Sequence, residues 1–309
     1  MPHPKVLAIH DLSGFGNTSL MAIIPIMNRM GIEVTAMPSA LLSANTDYPD
    51  YILQDNSELL KKSLTHWKEL QLSFDAVYTG FLGSPAQVYL LLENLPSLLK
   101  KEGIVLVDPV LADEGKLYSC YTWEMVEAMR SLVSISHIIT PNWTEAVFLS
   151  GYKNGKDLKT VRVYECCKKL ATLGPQNIVI TSAPDSQGNF SSVAFFAAEN
   201  NFFREFECNY APVIFPGAGD CFSALLLAGI LNGCDIVQSI EGTIAFLQEA
   251  ITISIPVVQD RKTGIDLISA SFLEEAITIS IPVVQDRKTG IDLISALKKD
   301  PHLFYSHKE

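Results

Sequence analysis

The sequence predicts an α/β fold in which a mostly parallel central sheet carries helices on both faces. Short apolar runs rich in β-branched residues alternate, as far as Ser186, with longer segments of helical period. Several of the short runs are apolar throughout, which is typical of strands buried on both faces of a parallel sheet. This alternation favours a doubly wound arrangement. Since no Ser/Pro-rich linker interrupts it, we expect one domain over residues 1–250.

The individual elements follow from these patterns. Six short aliphatic runs are predicted strands, namely Lys5–His10, Glu33–Met37, Ala76–Thr79, Ile104–Val107, His137–Thr140 and Asn177–Thr181. The predicted helices between them are Thr18–Met30, Ser57–Leu70, Ala86–Lys100, Thr122–Leu132, Glu145–Ser150 and Lys159–Leu173. Beyond Ser186 the pattern changes to an antiparallel pair, Ser191–Ala198 and Asn201–Tyr210, followed by a buried helix, Gly217–Leu231.

Composition and charge limit the partners. The 309 residues are 48% hydrophobic and 18% charged, which is ordinary for a folded chain and excludes intrinsic disorder. With 23 Lys and Arg against 34 Asp and Glu, the formal net charge is −11 and no basic run occurs. We therefore expect neither nucleic acid nor a membrane as partner. A polyanionic ligand would need positive potential from helix ends, backbone amides or a metal.

The chain ends and the cysteines indicate the compartment. The N-terminus leads directly into a predicted strand, and no apolar run reaches ~20 residues, so we expect a cytoplasmic protein. The six cysteines show no C-x-x-C spacing, and only Cys166 and Cys167 are adjacent. We therefore expect thiols rather than disulfides or a zinc site. His10, at a strand end, is expected to be a packed side chain.

A tandem repeat occupies the C-terminal part. Residues 246–270 and 272–296 are identical except that Gln248 corresponds to Glu274. Two copies do not form a solenoid, which needs about three repeats to bury a continuous face. Because one copy alone can occupy a given position against the domain, we expect the other to be an appendage.

The strongest local signal is the glycine-rich turn Phe215-Pro-Gly-Ala-Gly-Asp220 at the start of a predicted helix. Gly217 and Gly219 permit backbone geometries that a Cβ would forbid. Such a turn directs free N–H groups and the positive end of the helix dipole toward an anion. Asp220 can there accept a proton from an attacking hydroxyl beside a transferring phosphoryl group. The motif alone is equally compatible with a purely structural role, in which the glycines form a tight turn and Asp220 only caps the helix.

Two nucleotide-binding motifs are absent or incomplete. Gly14-Phe-Gly16 follows the first predicted strand, but Ser19 stands where a dinucleotide fingerprint has its third glycine. Glu33 begins the second strand, whereas the ribose-binding acid of that fingerprint ends it. No G-x-x-x-x-G-K-[ST] motif occurs, which excludes a P-loop kinase.

Polar residues follow three predicted strands at their carboxyl ends, where open α/β sheets bind ligands. They are Asp108, Asn142 with Glu145, and Thr181 with Ser182. Carboxylates, an amide and hydroxyls at one edge suit a hydrated Mg²⁺ and a nucleotide phosphate tail. Singly, each also has a structural explanation. Asp108 before a proline can shape a turn, and Asn142 with Glu145 resembles a helix N-cap.

Taken in order, these motifs resemble the ribokinase-like superfamily, and within it the pyridoxal/pyridoxamine kinases. The resemblance runs from about Lys5 to about Ala250. The segments that carry it are Asp11–Asn17, Leu42–Tyr48, Tyr78–Ser84, Asp108–Val110, Thr140–Glu145, Val179–Ser182 and Gly217–Asp220. The resemblance implies ATP-dependent phosphorylation of the 5′-hydroxymethyl group of a B6 vitamer, with Mg²⁺, often K⁺ or Na⁺, and a homodimer.

The resemblance also implies residue roles. Asp220 would be the catalytic base, and Gly217, Ala218 and Gly219 would form the anion hole for the γ-phosphate. Asp108, Asn142 and Glu145 would organise Mg²⁺ and the phosphates of ATP, with the two carboxylates acting mostly through water. Thr181 and Ser182 would contact the ATP phosphates. The vitamer ring would lie among Asp11, Ser43, Thr46 and Phe81.

Three departures from the family pattern leave the substrate open. Asp11 stands where better-known pyridoxal kinases have Ser, and Phe81 where some have Tyr. A carboxylate at position 11 can accept a hydrogen bond from the ring hydroxyl or pair with the amino group of pyridoxamine, which favours that vitamer. The third departure is Gly-Ala-Gly-Asp, where pyridoxal kinases commonly have Gly-Thr-Gly-Asp. Because Gly-Ala-Gly-Asp also occurs among sugar kinases, it does not decide the substrate. A hydroxymethylpyrimidine kinase, a sugar kinase and a non-catalytic ligand-binding member therefore stay open beside the B6 kinase.

Overall fold

The computed structural model describes residues 3–153, 158–185, 190–208, 215–257 and 261–266. The strands in this part of the chain are β1 Lys5–Ser13, β2 Glu33–Leu42, β3 Leu53–Asp55, β4 Phe74–Thr79, β5 Leu99–Val107, β6 Ala112–Asp113, β7 Lys116–Leu117, β8 Ile138–Ile139, β9 Asn177–Pro184, β10 Phe190–Ala197 and β11 Phe202–Glu207. The helices are α1 Leu20–Arg29, α2 Ser57–Glu69, α3 Pro85–Leu98, α4 Trp123–Val133, α5 Trp143–Leu149, α6 Val163–Ala171, α7 Ala218–Leu231 and α8 Ile236–Val257. None of these helices is long and apolar enough to cross a bilayer.

A nine-stranded sheet forms the centre of the fold, in the order β11-β10-β9-β8-β5-β4-β1-β2-β3. The pairings from β9 through β8, β5, β4 and β1 to β2 are all parallel. The β9–β10, β10–β11 and β2–β3 pairings are antiparallel. The predicted mostly parallel α/β architecture, with an antiparallel pair after it, is therefore confirmed.

Alternate side chains of the inner strands supply two cores, one on each face of the sheet. In β1, Leu7 and Ile9 pack into the core that contains residues of α2 to α6. Val6 and Ala8 pack into the opposite core, with residues of α1, α7 and α8. Because successive side chains of a strand point to opposite faces, an apolar run is what a sheet covered on both sides requires.

The first two strands are longer than the sequence predicts, and the extension shapes the site. β1 continues past His10 to Ser13, and β2 continues past Met37 to Leu42. Their parallel pairing is interrupted by an irregularity between His10 and Leu12 and then resumes. The extension carries the polar end of β1 to the edge of the sheet where the other parallel strands end.

A small hairpin was not predicted from the sequence. Strands β6 and β7 enclose Glu114 and Gly115, which have φ angles of 48° and 78°. Positive φ at both central residues is what a two-residue hairpin turn requires. The strands are too short for periodicity to reveal them, so the turn was the one available signal.

The first repeat copy is part of the fold as far as the structure describes it. Helix α8 extends into the first half of this copy, and Phe246, Leu247 and Ile251 are buried there. After the helix, the carbonyl of Thr263 accepts a hydrogen bond from the backbone N–H of Asn17 at 2.6 Å. The folded part of the chain thus includes residues of the first copy beyond residue 250. The second copy, residues 272–296, lies outside the described residues, and the appendage stays a prediction.

Candidate active site

A cavity of about 950 Å³ opens at the carboxyl ends of the parallel strands, beside the start of α7. This is the edge at which open α/β sheets bind ligands. Twelve of the residues proposed from the sequence line it, namely Asp11, Thr46, Phe81, Asp108, Asn142, Glu145, Thr181, Ser182, Gly217, Ala218, Gly219 and Asp220. The structure thus brings most of the predicted site together in one cavity.

Ser43 is the exception. It follows Leu42, whose side chain lines the cavity, but Ser43 itself is exposed and lies outside the lining. Its Oγ accepts a hydrogen bond of 2.8 Å from the backbone N–H of Ile52. Because neighbouring side chains of an extended segment point in opposite directions, Leu42 takes the inward place. The structure does not bring Ser43 into the cavity lining with the other predicted residues, and its contact with the vitamer ring stays a prediction.

The glycine-rich turn leads into α7 as predicted. Gly217 is the N-cap residue, with φ of 80° in the left-handed region. A Cβ at this position would lie 2.5 Å from the carbonyl oxygen of Asn17, so the close approach of the two segments requires glycine. The N–H of Ala218 donates to the carbonyl of Phe215 at 3.2 Å. The turn and the first residues of α7 line the cavity, and the start of a helix is where an anion is stabilised.

Asp220 lies in the first turn of α7, and its carboxylate is held from the β1–α1 connection. The backbone N–H of Ser19 donates a hydrogen bond of 2.8 Å to Oδ2. Burial raises the pKa of Asp220 to about 7, the Ser19 N–H lowers it, and the charge of Asp11 raises it. A carboxylate with a pKa near neutrality is suited to take and release a proton.

Asp11 is the second acidic group in this part of the cavity. Its side chain accepts hydrogen bonds from the hydroxyls of Ser19 and Ser13, the latter at 3.0 Å. Burial raises its pKa, and the two serine hydroxyls lower it. Ser19 therefore joins both carboxylates, through its hydroxyl to Asp11 and through its N–H to Asp220.

A further pair of buried carboxylates, Asp108 and Glu145, lines the same cavity. Burial, then the charges of Glu145 and Asp220, raise the pKa of Asp108 well above its ordinary value. Burial raises the pKa of Glu145 to about 8, against three backbone N–H groups that lower it. Ser223 donates a hydrogen bond of 3.2 Å to Asp108. Buried carboxylates that have hydrogen-bond donors but no cationic side chain beside them are stabilised by a bound cation.

The start of α5 is the helix cap that the sequence suggested. Asn142 Oδ1 accepts from the N–H of Glu145 at 2.9 Å, and Glu145 Oε2 accepts from the N–H of Asn142 at 2.8 Å. Asn142 also donates through Nδ2 to the carbonyl of Ala112 at 2.7 Å. The capping interpretation of this pair is confirmed, and its role toward ATP stays a prediction. Both residues also border the cavity, so the two roles are compatible.

Ser19 and Tyr118 are among the cavity residues that the sequence reasoning missed. Ser19 has φ of 51°, and no local pattern indicates that its N–H reaches a residue so far along the chain. Tyr118 follows the β6–β7 hairpin and lines the cavity, and burial raises its pKa. The Glu-Gly turn before Tyr118 was the signal that could have indicated this wall.

The sequence is similar to known kinases over most of its length. Residues 20–264 match the family model described as phosphomethylpyrimidine kinase. A pyridoxal kinase of Arabidopsis thaliana is 30% identical, over 72% of this chain and 73% of its own length. A pyridoxine/pyridoxal/pyridoxamine kinase of Bordetella avium is 26% identical, over 80% of this chain and 84% of its own length.

Solved structures are also similar over most of the chain. A candidate phosphomethylpyrimidine kinase of Bacteroides thetaiotaomicron, crystallised with pyridoxal, is 32% identical with a TM-score of 0.80. The alignment covers 87% of this chain and 94% of that one. Pyridoxal kinase of Lactobacillus plantarum is 26% identical with a TM-score of 0.80, covering 89% and 97% of the two chains.

Proposed function

Because the chain belongs to the phosphomethylpyrimidine kinase family, we propose that its cavity is where ATP phosphorylates the 5′-hydroxymethyl group of a B6 vitamer with Asp220 as the base. The enzyme is an ATP-dependent phosphotransferase of the ribokinase-like superfamily that acts on a B6 vitamer. The observation that supports the residue roles best is the place of Asp220. Its carboxylate lies in the first turn of α7, directly after the glycine-rich turn and inside the cavity.

In the proposed mechanism, Asp220 accepts the proton of the 5′-hydroxyl as the oxygen attacks the γ-phosphorus in line. A pKa of about 7 leaves a substantial fraction ionised near neutrality while keeping the carboxylate basic enough to take the proton. The Ser19 N–H fixes Oδ2, so the base is oriented before the substrate arrives. The anion hole supplies the second contribution. The amides of Gly217, Ala218 and Gly219 would face the equatorial oxygens of the transferring group, where charge accumulates.

The two buried carboxylates, Asp108 and Glu145, suit the predicted Mg²⁺. Both are buried, and the charge of Glu145 raises the pKa of Asp108. Neither has a Lys or Arg ion pair among the described residues. No group of three or more acidic, His or Cys side chains in this part of the chain is arranged to hold a metal directly. We therefore propose that the two carboxylates hold Mg²⁺ through water. The ion supplies neutralisation of the phosphate charge when bound.

The remaining ATP contacts are proposed on cavity position. Thr181 and Ser182 are half-buried in the lining, and Ser182 Oγ accepts a hydrogen bond of 3.3 Å from the N–H of Trp143. Their hydroxyls would face the phosphate tail, together with Asn142. K⁺ or Na⁺, the homodimer and the cytoplasmic location stay predictions from the family resemblance.

The vitamer would occupy the end of the cavity lined by Asp11, Thr46 and Phe81. Phe81 is buried and packs on Tyr121 with ring centroids 5.5 Å apart, which gives an aromatic wall of fixed orientation for a flat ring. Asp11 faces the same space with a carboxylate already held by two serines.

Hydroxymethylpyrimidine kinase activity is the second candidate, favoured by the description of the matching family. A hydroxymethylpyrimidine presents the same primary alcohol on a flat ring, so the base and the anion hole would serve it without change. A sugar kinase of the same superfamily and a ligand-binding member without turnover follow as the third and fourth candidates.

The test is ADP release with Mg·ATP and pyridoxal, pyridoxine, pyridoxamine or hydroxymethylpyrimidine, in the wild type, Asp220→Asn and Asp50→Asn. Asp50 is exposed and outside the cavity lining, so it controls for the same chemical change. We expect turnover on a B6 vitamer, a kcat loss of about 10²–10⁴ in Asp220→Asn, and none in Asp50→Asn. Activity on the pyrimidine alone would move the assignment to the second candidate. If the vitamers bind but no acceptor gives ADP release from ATP, the result would support a non-catalytic binding protein.

A further inference from the structure

His10 is a fully buried imidazole beside the Asp220 carboxylate, and no step of the mechanism uses it. Its Nδ1 lies 3.9 Å from Oδ1 of Asp220, and its side chain is 0% exposed. The ring packs edge-on against Tyr78, with centroids 4.2 Å apart. His10 is not part of the cavity lining, so it approaches the base from within the protein.

Neither nitrogen of His10 has a hydrogen-bond partner among the described residues. Burial lowers its pKa to about 3, so the ring is neutral and carries one N–H donor and one acceptor. A buried polar group left without a partner is costly, and such groups in folded proteins need a specific explanation. Oδ1 of Asp220, 3.9 Å from Nδ1, is an acceptor that this donor can reach by a small movement.

The fold makes room for the ring at this place. A Cβ on Gly80 would lie 2.1 Å from Nδ1 of His10, so only glycine at that position allows the imidazole its present orientation. The N–H of Gly80 donates to the carbonyl of Ile9 at 3.0 Å, which fixes the glycine, directly after β4, beside the middle of β1. The orientation of the His10 ring is thus constrained by the close approach of Gly80.

The groups around Asp220 are otherwise acidic or weakly polar. Asp11 on β1, Asp108 after β5, Tyr78 on β4 and Cys221 on α7 all interact electrostatically with Asp220 or with its charge. The Ser19 N–H donates a hydrogen bond to Oδ2 of Asp220, and Oδ1 is the oxygen nearer to His10 Nδ1. Each carboxylate oxygen has two lone-pair sites, so a donor from within the protein leaves one free for the substrate.

We propose that His10 is a positioning residue for Asp220, whose Nδ1–H donates a hydrogen bond to Oδ1 when the base adopts its reactive orientation. The present separation exceeds a hydrogen bond by about 1 Å, and catalytic hydrogen bonds are often long before the substrate binds. Together with Ser19, His10 then holds both carboxylate oxygens. The inference rests on the proposed role of Asp220 as the base.

A donor to the ionised carboxylate stabilises the charged form, so its loss should raise the pKa of Asp220. His10→Leu removes the donor at similar volume, and His10→Gln keeps one. We expect His10→Leu to lower kcat at neutral pH by about one order of magnitude, to leave the KM for ATP unchanged, and to move the acidic limb of the kcat–pH profile to higher pH. His10→Gln should restore most of the rate and return the limb toward its wild-type position.

The double variant His10→Leu/Asp220→Asn separates positioning from general packing. If His10 acts through the base, the double variant should be no slower than Asp220→Asn alone. Equal pH profiles for His10→Leu and the wild type, or additive losses in the double variant, would overturn the proposal.

A wild-type measurement decides the question even where His10→Leu does not fold. The ¹⁵N chemical shifts of the His10 ring should show a neutral ring protonated on Nδ1. Protonation on Nε2 would refute the proposal. Because this measurement needs no turnover, it remains decisive if no vitamer is phosphorylated, an outcome that would count against the proposed function instead.

Discussion

The backbone N–H of Ser19 holds Oδ2 of Asp220 at 2.8 Å, although 201 positions separate the two residues in the chain. The bond joins the loop after β1 to the first turn of α7. It aligns the carboxylate toward the cavity while leaving the Ser19 hydroxyl to bind Asp11. One residue therefore orients the proposed base and the acidic group proposed to face the vitamer.

The pH dependence of activity and of stability should have opposite signs at Asp220. The base must be ionised, so with a pKa of about 7 we expect kcat to fall as the pH drops below neutrality. Since the pKa is raised on folding, the contribution of this group to stability is present at low pH and lost as the pH rises through about 7. Thermal unfolding of the wild type and Asp220→Asn across this range should show a flatter profile in the variant. Identical profiles would contradict the raised pKa.

Ser19→Ala separates the two bonds of Ser19. The variant removes the hydroxyl that binds Asp11 but keeps the N–H that binds Asp220. We expect a higher KM for the vitamer, with kcat and the KM for ATP little changed. Steady-state kinetics with each substrate varied in turn measures this, with Ser13→Ala as the control that removes the other hydroxyl on Asp11. A kcat loss as large as that of Asp220→Asn would show that the side chain, not the backbone, orients the base.

Asp11→Ser should change the order of the vitamers. Asp11 places a carboxylate in the cavity, and an ammonium group on the ligand is a stronger partner for it than an aldehyde or alcohol. We therefore expect kcat/KM for pyridoxamine to fall more than that for pyridoxal or pyridoxine. The three ratios, measured side by side in both proteins, provide the test. An unchanged order of preference would remove Asp11 from the specificity argument.

Gly217→Ala and Gly219→Ala form a matched pair in one turn. Gly217 has φ of 80°, and a Cβ there would lie 2.5 Å from the Asn17 carbonyl, whereas a Cβ on Gly219 meets nothing within 4 Å. We expect Gly217→Ala to lose at least ~1–2 kcal/mol of unfolding free energy, the cost of left-handed backbone alone. Gly219→Ala, in a helix, should be as stable as the wild type or slightly more so. Denaturant unfolding of both variants is the measurement, and equal losses would contradict the geometry.

Much of the site was predictable because its signals are local. Gly217 and Asp220 are three residues apart, and the turn, the helix start and the acid belong to one short motif. The alternation of strands and helices likewise follows from local apolar patterns. The Ser19–Asp220 bond was not predictable, because it depends on a backbone conformation that serine rarely adopts and on two distant segments meeting. The place of Ser43 outside the cavity lining was not predictable for a different reason, since the direction of its side chain depends on a strand register that composition does not reveal.

Deleting one copy of the tandem repeat should leave the fold and the activity intact. The buried residues Phe246, Leu247 and Ile265 of the first copy recur as Phe272, Leu273 and Ile291, each 26 positions further on. Removal of residues 246–271 would therefore bring the same apolar side chains to the same distance from α7. The Thr-Gly-Ile segment, whose threonine carbonyl binds the N–H of Asn17, would be restored as well.

The design contains its own control, because deletion of residues 246–271 and deletion of residues 271–296 give chains that differ only in Gln or Glu at position 248. We expect both to match the full chain in melting temperature and kcat/KM. A third variant without residues 246–296 should lose both, since Phe246, Leu247, Ile251 and Ile265 are buried. If both single deletions are impaired relative to the full chain, the second copy contributes to the enzyme and is not an appendage.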